Sequence, residues 1–283
     1  MNHKEGKFAK QIIERQREDG TWGPYFHALS QPAKGREITT EQALRRLWIL
    51  GFTIDDLPIR KSVDCMVSCL QGERKIDNYS EKIHDWNLYT QLMLSAWVKI
   101  FEPDNELALN FARRWAAVVE RAFESGCYSQ NNYIKAYADE FVSKPKAPRE
   151  SDFATFYHVI LLQGVLAGET ESRWLDYILS KSSGIYYIYG KQIKKPPEIF
   201  ASKQASHYLA ALEILSGYDA AKGKLGFAAD WLNDNKDATG QWDFGSKAKD
   251  GVYFPLSDSW KNNGDRKADC TQRVTVFLQK MGL

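Results

Sequence analysis

Cysteine is scarce in this sequence: Cys65, Cys69, Cys127 and Cys270 are the only four in 283 residues. Four thiols in so long a chain do not make a disulfide framework, so reduced cysteines and a cytoplasmic protein are expected. Charge of one sign is lacking as well. Thirty-eight Lys and Arg stand against 36 Asp and Glu, a formal net charge of +2. That balance gives no general field for holding nucleic acid, and no nucleic-acid partner is expected. Apolar runs fall far short of the ~20 residues that span a bilayer, and the start of the chain lacks the apolar core of a signal peptide, so no transmembrane segment is expected. Phosphate-cradling glycine loops and serine-nucleophile elbows are missing too, and no cofactor is assigned. With 43% hydrophobic residues and little net charge, the chain is not intrinsically disordered. What it has in excess is aromatics: nine Trp, fourteen Tyr and fourteen Phe.

Glycines follow expected helix ends at Gly20, Gly72, Gly126, Gly184 and Gly240, at intervals of 52, 54, 58 and 56 residues. In four of the five copies an aromatic stands two positions later: Trp22, Tyr128, Tyr186 and Trp242. A glycine in the left-handed conformation ends the helix, and the aromatic folds back over it. Two helical patterns lie between successive glycines, with apolar residues at three- and four-residue spacing, as in Leu44, Leu47 and Trp48. The first of each pair is expected near 40–50, 86–101, 152–167, 203–216 and 270–281. The second is expected near 56–70, 105–124, 171–182 and 220–235. Ile185–Tyr189 is the one strand-like run.

A helix near 7–18 has no first partner and the last helix has no second. If these two pair, the chain closes into a ring. The expected architecture is therefore all-α, a closed α/α toroid of about five helical hairpins, as a single domain over 1–283. Closure would remove the apolar faces that an open solenoid must cap. First-of-pair helices would line the inside, and residues 130–150 would form a lid or insertion around Lys144-Pro145-Lys146. Thr40, Ser206 and Thr271 occupy equivalent places, eleven residues before Gly51, Gly217 and Gly282.

Gln16-x-x-x-Gly20-x-Trp22 resembles the glutamine–tryptophan repeat of squalene and oxidosqualene cyclases, and Asn235-x-x-x-x-Gly240-x-Trp242 is a degenerate copy. The chain thus resembles the terpenoid-cyclase and protein-prenyltransferase superfamily, whose fold is an α/α barrel. Asp269-Cys270-Thr271 is similar to the Asp-Cys-Thr segment in which the cyclase aspartic acid protonates its substrate, although Gln272-Arg273 follow where that family has Ala-Glu. The cyclases also use two barrels where this length provides one, and the Asp-x-Asp-Asp motif is absent. Prenyltransferase zinc ligands need Asp-x-Cys and a later histidine. Here Asp269 and Cys270 are adjacent and no histidine follows.

The resemblance implies that Asp269 is the general acid, supported by Cys270; His84 or Asp85, as a proton-transfer pair or half of a metal site, would support it further. If the inner helices run parallel, their N-termini meet at one rim, favourable for an anion. Trp86, Asp152 and Tyr157, with Tyr25, Phe26, Tyr253 and Phe254 after the turns, would then wall an apolar chamber of the kind that shelters carbocations. Each has a plainer reading. Asp269-x-x-Gln272 and Thr39-x-x-Gln42 both read as capping boxes, and a capping carboxylate is held acidic, the wrong direction for a proton donor. His84-Asp85 reads equally as a cap. A zinc cluster drawing His27, His158 or His207 to Cys270 and Asp269 is open geometrically, but no metal is assigned. The expected ligand is an apolar, isoprenoid-like small molecule. A peptide-binding toroid is the first alternative. A carbohydrate-active toroid using paired carboxylates among Asp85, Asp152 and Asp269 is the second.

Overall fold

The computed structural model describes residues 3–27, 37–76, 85–146 and 153–283. Among them are eleven α-helices and no strand: α1 (Lys7–Ile13), α2 (Thr40–Ile49), α3 (Leu57–Leu70), α4 (Trp86–Phe101), α5 (Glu106–Ala122), α6 (Gln130–Phe141), α7 (Phe156–Leu161), α8 (Gly168–Ser180), α9 (Lys203–Leu215), α10 (Gly226–Asp234) and α11 (Asn263–Met281). The Ile185–Tyr189 run makes isolated bridges only. None of these helices is long and apolar enough to cross a membrane.

Local chemistry sets the helix starts. Thr39 closes a capping box with Gln42, Asp85 accepts the Leu88 N–H at 3.2 Å, and Asn105 and Ser202 accept from Ala108 and Ala205. Pro58 occupies the first turn of α3, where its missing N–H costs nothing. Packing then separates the helices into two kinds. In α4 the seven residues Leu92 to Val98 are all buried, as are all six of α7. By contrast α5 is amphipathic, burying Phe111, Trp115 and Val119 on one side. α3 packs on α4, α4 on α5 and α7, α7 on α9, and α9 on α11. One contiguous apolar core runs from Ala9 to Met281.

The tryptophan repeat is structural. The Trp22 indole donates to the carbonyl of Ile12 at 2.7 Å, and the Trp242 indole to that of Leu232 at 2.6 Å, ten residues back in each case. The backbone N–H groups of the same two residues donate to the hydroxyls of Thr40 and Thr271. Each tryptophan therefore staples the helix before it to the helix after it. In the third place of this register, the buried Ser206 hydroxyl has no partner. Gly20 has φ +86°, and a side chain there would run into the Lys61 carbonyl at 2.4 Å. The Gln16 amide donates to the carbonyls of Pro58, at 2.7 Å, and Gly20, at 3.1 Å, tying the turn to α3.

Several boundaries depart from expectation. α1 stops at Ile13 rather than near 18, because Arg17 turns to bond Thr21. α7 is six residues long and begins at Phe156, where Thr155 bridges to Tyr186 instead of extending the helix. Asn262 caps α11, so that helix starts seven residues before Cys270, and Asp269 sits inside it rather than capping it. Gly184 is not left-handed; it lets the backbone of Tyr189 and Lys191 approach, and a Cβ at this position would stand only 2.1 Å from the Tyr189 carbonyl. Much of the expected lid is α6, which packs on α5 through buried Tyr133, Ala136 and Tyr137.

The two ends of the chain lie side by side. His3 Nε2 meets the Gln272 carboxamide at 3.0 Å, and the Lys7 N–H donates to Asp258 at 2.8 Å.

Candidate binding cavity

A cavity of about 270 Å³ lies between four first-of-pair helices. α2 contributes Arg45, Trp48 and Ile49, α7 Phe156, and α9 Ala210, Glu213 and Ile214. α11 contributes Gln272, Arg273, Val276, Phe277 and Lys280, and Ile188, Ser216, Tyr253 and Leu256 complete the wall. The lining is mostly apolar, with charge confined to Arg45, Glu213, Arg273 and Lys280. Val276 and Lys280 are exposed, which marks the side where the cavity meets solvent.

Its guanidinium groups are ordered by paired carboxylates. Arg273 Nε donates to Glu213 at 3.0 Å and Nη2 to the other carboxylate oxygen, a two-pronged contact; its plane lies over Phe254 at 4.7 Å. Arg45 donates to Glu41 at 3.2 Å and lies over Phe156 at 4.7 Å. Burial works to lower the Arg45 pKa, and the Tyr253 and Glu41 oxygens beside it more than offset that, raising it. For Arg273, burial is likewise outweighed by Glu213.

Behind Arg45 lies a buried polar network. Glu41, 1% exposed, accepts from the Tyr157 hydroxyl at 2.8 Å and the Trp97 indole at 3.3 Å, and meets His27 Nδ1 at 2.8 Å. Tyr89 and Tyr187 hydroxyls meet at 2.5 Å nearby. Burial, reinforced by Glu41, holds the Tyr157 pKa well above the ordinary phenol value, so that hydroxyl stays a donor. Tyr89, Tyr187, Trp115, Thr155, His158 and Asp85 line a second, much smaller cavity of about 30 Å³.

Of the residues expected to be catalytic, the described ones do not share a cavity: Asp85 lines the smaller one, and Asp269 and Cys270 line neither. Asp269 is 2% exposed, with its carboxylate accepting from the N–H groups of Leu256 and Ser257 and from the Ser257 hydroxyl, at 2.7–3.1 Å. It pins residues 256–257 to α11 and does not line the cavity. Burial raises its pKa despite those bonds, opposite to the direction that a capping role implies. Cys270 is fully buried and accepts from the Phe244 N–H; burial pushes its thiol up to about 12, so it is no thiolate. Asp85 caps α4, and Trp86 stacks on Tyr89 at 5.3 Å. His84 and Asp152 lie outside the described residues.

Of the expected chamber wall, Tyr253 lines the 270 Å³ cavity. Phe254 lies behind it under the Arg273 guanidinium, and Tyr157 belongs to the Glu41 network. The carbonyls of Tyr25 and Phe26 accept the first N–H groups of α2, from Thr40 and Glu41. Asp85 and Asp269 share neither cavity, so these two are not placed as a sugar-cleaving pair. Among the described residues no three His, Cys, Asp or Glu side chains are grouped to hold a metal. His207 pairs with Asp250 at 3.0 Å instead.

Arg45, Glu213, Arg273 and Lys280 carry the charge of the cavity, and no motif in the sequence singles them out. The available signal was Glu41 and Arg45, four residues apart on a helix whose other positions are mostly apolar. No protein-family model, no curated protein and no solved structure matches the chain at a significant level.

Proposed function

We propose that the helices close into a single α/α toroid, similar to one barrel of the terpenoid-cyclase and prenyltransferase superfamily, that binds an apolar, isoprenoid-like small molecule at its centre. The observation that carries this reading is the cavity of about 270 Å³ bounded by α2, α7, α9 and α11. An engineered cavity of roughly 150 Å³ already takes up benzene, so this one has room for a larger apolar molecule. Contact between the chain ends, through His3 and Gln272, supports closure of the ring. So does the equivalent stapling by Trp22 and Trp242. A cytoplasmic setting fits the four free thiols.

The reading is of a binder rather than a cyclase, because the Asp269 oxygens are taken up by Leu256 and Ser257. The test is solvent extraction and native mass spectrometry of the purified protein, followed by titration with geraniol. Ala210 lines the cavity and is 3% exposed. Ala210→Leu should cut geraniol binding at least tenfold while the far-UV spectrum stays unchanged. Equal binding by that variant removes the central cavity as the site.

A further inference from the structure

The loop leading into α9 encloses a hollow of about 340 Å³, with Tyr189, Lys191, Lys195, Pro197, Ile199 and Gln204 on its wall. This loop is held from beneath. Ile193 and Pro197 are buried, and the Tyr208 hydroxyl donates to the Ile193 carbonyl at 2.8 Å. The Phe200 ring packs on Phe244 and Trp231, with ring centres 4.7 and 5.0 Å away. What the loop presents outward is charge of one sign. Residues 189–204 hold four exposed lysines, Lys191, Lys194, Lys195 and Lys203, against Glu198 alone, an excess larger than the net +2 of the whole chain. Among the described residues none of the four is in an ion pair, and Lys191 meets only the Gln204 carboxamide, at 3.2 Å. By contrast, Lys224 and Lys267 each have a carboxylate, from Asp176 and Asp237. Crowded like charges repel one another, so a partner of opposite sign relieves a cost that the fold already bears.

We infer that this hollow is a docking surface for an acidic peptide segment of another protein, its carboxylates meeting the four lysines and an apolar side chain lying against Ile199. Three features select the partner. Ile199 is 68% exposed beside the lysines, so the surface offers an apolar contact as well as charge. The one aromatic ring on the wall, Tyr189, is 4% exposed, which leaves no platform on which the bases of a nucleic acid could stack. A bilayer surface is gripped by a helix with a broad apolar face, whereas here a single isoleucine stands at the edge of a hollow. A hollow takes the side chains of an extended segment instead. Because the loop is anchored by Ile193, Pro197 and Phe200, little ordering is lost when the segment binds. The hollow and the central cavity share no residue, so this inference does not depend on the reading of that cavity.

The experiment is isothermal titration of the full chain with the blocked peptide acetyl-Glu-Glu-Leu-Glu-Glu-amide, with its glutamine analogue, with an oligothymidylate of the same charge and with phosphatidylglycerol vesicles. The glutamate peptide should bind roughly tenfold more tightly than the glutamine analogue and the oligothymidylate, and its affinity should fall as salt is added. Lys191→Gln/Lys195→Gln should weaken it about tenfold, two exposed ion pairs being lost. Ile199→Ser should weaken it about threefold through lost apolar contact. All three side chains are exposed, so the fold does not depend on them. Lys10→Gln/Lys222→Gln removes the same charge from exposed positions outside the hollow and should leave binding within about twofold. Equal binding of the two peptides, or equal loss in the two double variants, overturns the docking surface. Tighter binding of the oligothymidylate, or binding of the vesicles without binding of the peptide, overturns the acidic peptide as its occupant. No binding of any of the four overturns the inference outright.

Discussion

The N–H of Trp22 donates to the Thr40 hydroxyl at 2.8 Å, and that hydroxyl donates back to the Trp22 carbonyl at 3.0 Å. Both residues are buried, so water cannot replace either bond. The corresponding pair, Trp242 and Thr271, has one bond, at 3.1 Å, and Thr271 is half-buried. An unsatisfied buried backbone group costs about 1–3 kcal/mol. Thr40→Val, which strands two groups, should therefore lower stability by about 2–4 kcal/mol, and Thr271→Val by about 1–2 kcal/mol. Thr40→Ser should stay close to the parent. Urea unfolding of the three variants checks the order; equal costs for the two valine variants would show that the pairs are not ranked by their bonds.

Glu41 anchors groups from three other parts of the chain: His27, Trp97 on α4 and Tyr157 on α7, as well as Arg45 one turn along α2. Glu41→Ala would leave the guanidinium of Arg45 without its carboxylate in an enclosed place. Removing one partner of a buried ion pair costs about 3–5 kcal/mol. Glu41→Gln keeps an acceptor and should cost less than half as much. Denaturant midpoints at neutral pH decide this, and an alanine variant as stable as the parent would make the network dispensable.

The starts of α2, α4, α5 and α9 were legible to within about a residue because caps and apolar periodicity coincide there, and that of α3 because Pro58 falls in its first turn. Thr39, Asp85, Asn105 and Ser202 each accept an N–H from the first turn. The start of α11 was not, since Asn262-Asn263-Gly264-Asp265 reads as a turn until Asn262 is seen to bond Gly264 and Asp265. The places of Asp269 and Cys270 were hidden for the same reason: a cap and a residue six positions into a helix present different groups. The apolar residues of the cavity wall followed the helical periodicity, and its polar members did not. Arg45 and Arg273 belong to helices whose periodicity gives charged residues to solvent, and only the placement of facing helices turns them inward. Trp48, Phe156 and Tyr253 combined an aromatic signal with a cavity position.

His158 provides a test by pH. It is 3% exposed, its Nδ1 meets the Thr155 hydroxyl at 2.8 Å, and its ring stands edge-on to Trp115 at 4.4 Å. Burial lowers its pKa from 6.5 to about 3. Between those values the unfolded chain binds a proton that the folded chain does not, so stability falls as pH falls. The contribution is complete above pH 6.5 and lost by about pH 3. At 1.36 kcal/mol per unit its upper bound is about 5 kcal/mol. His158→Gln should flatten that acid limb, measured as the difference between the two urea midpoints from pH 7 to pH 4. Parallel curves would mean that His158 titrates alike in both states.

Val142, at the C-terminal end of α6, has φ 52° and ψ 33° and is 93% exposed. A branched side chain in this left-handed region costs about 1–2 kcal/mol, and at that exposure burial returns almost nothing. Glycine removes the clash but adds freedom to the unfolded chain worth roughly 0.5–1 kcal/mol, so the net gain is smaller than the strain. Asparagine tolerates the conformation without that penalty. Val142→Asn should therefore stabilise by about 1 kcal/mol, and Val142→Gly by about half as much. α6 is held to α5 by Arg114–Glu140 and Arg121–Asp139 at the surface and by Tyr133 and Tyr137 beneath. Its last turn should open more readily than the core helices, so the gain belongs first to local opening. Amide exchange along 136–141 should slow in Val142→Asn before the thermal midpoint moves. Faster exchange there would show that the valine is not strained.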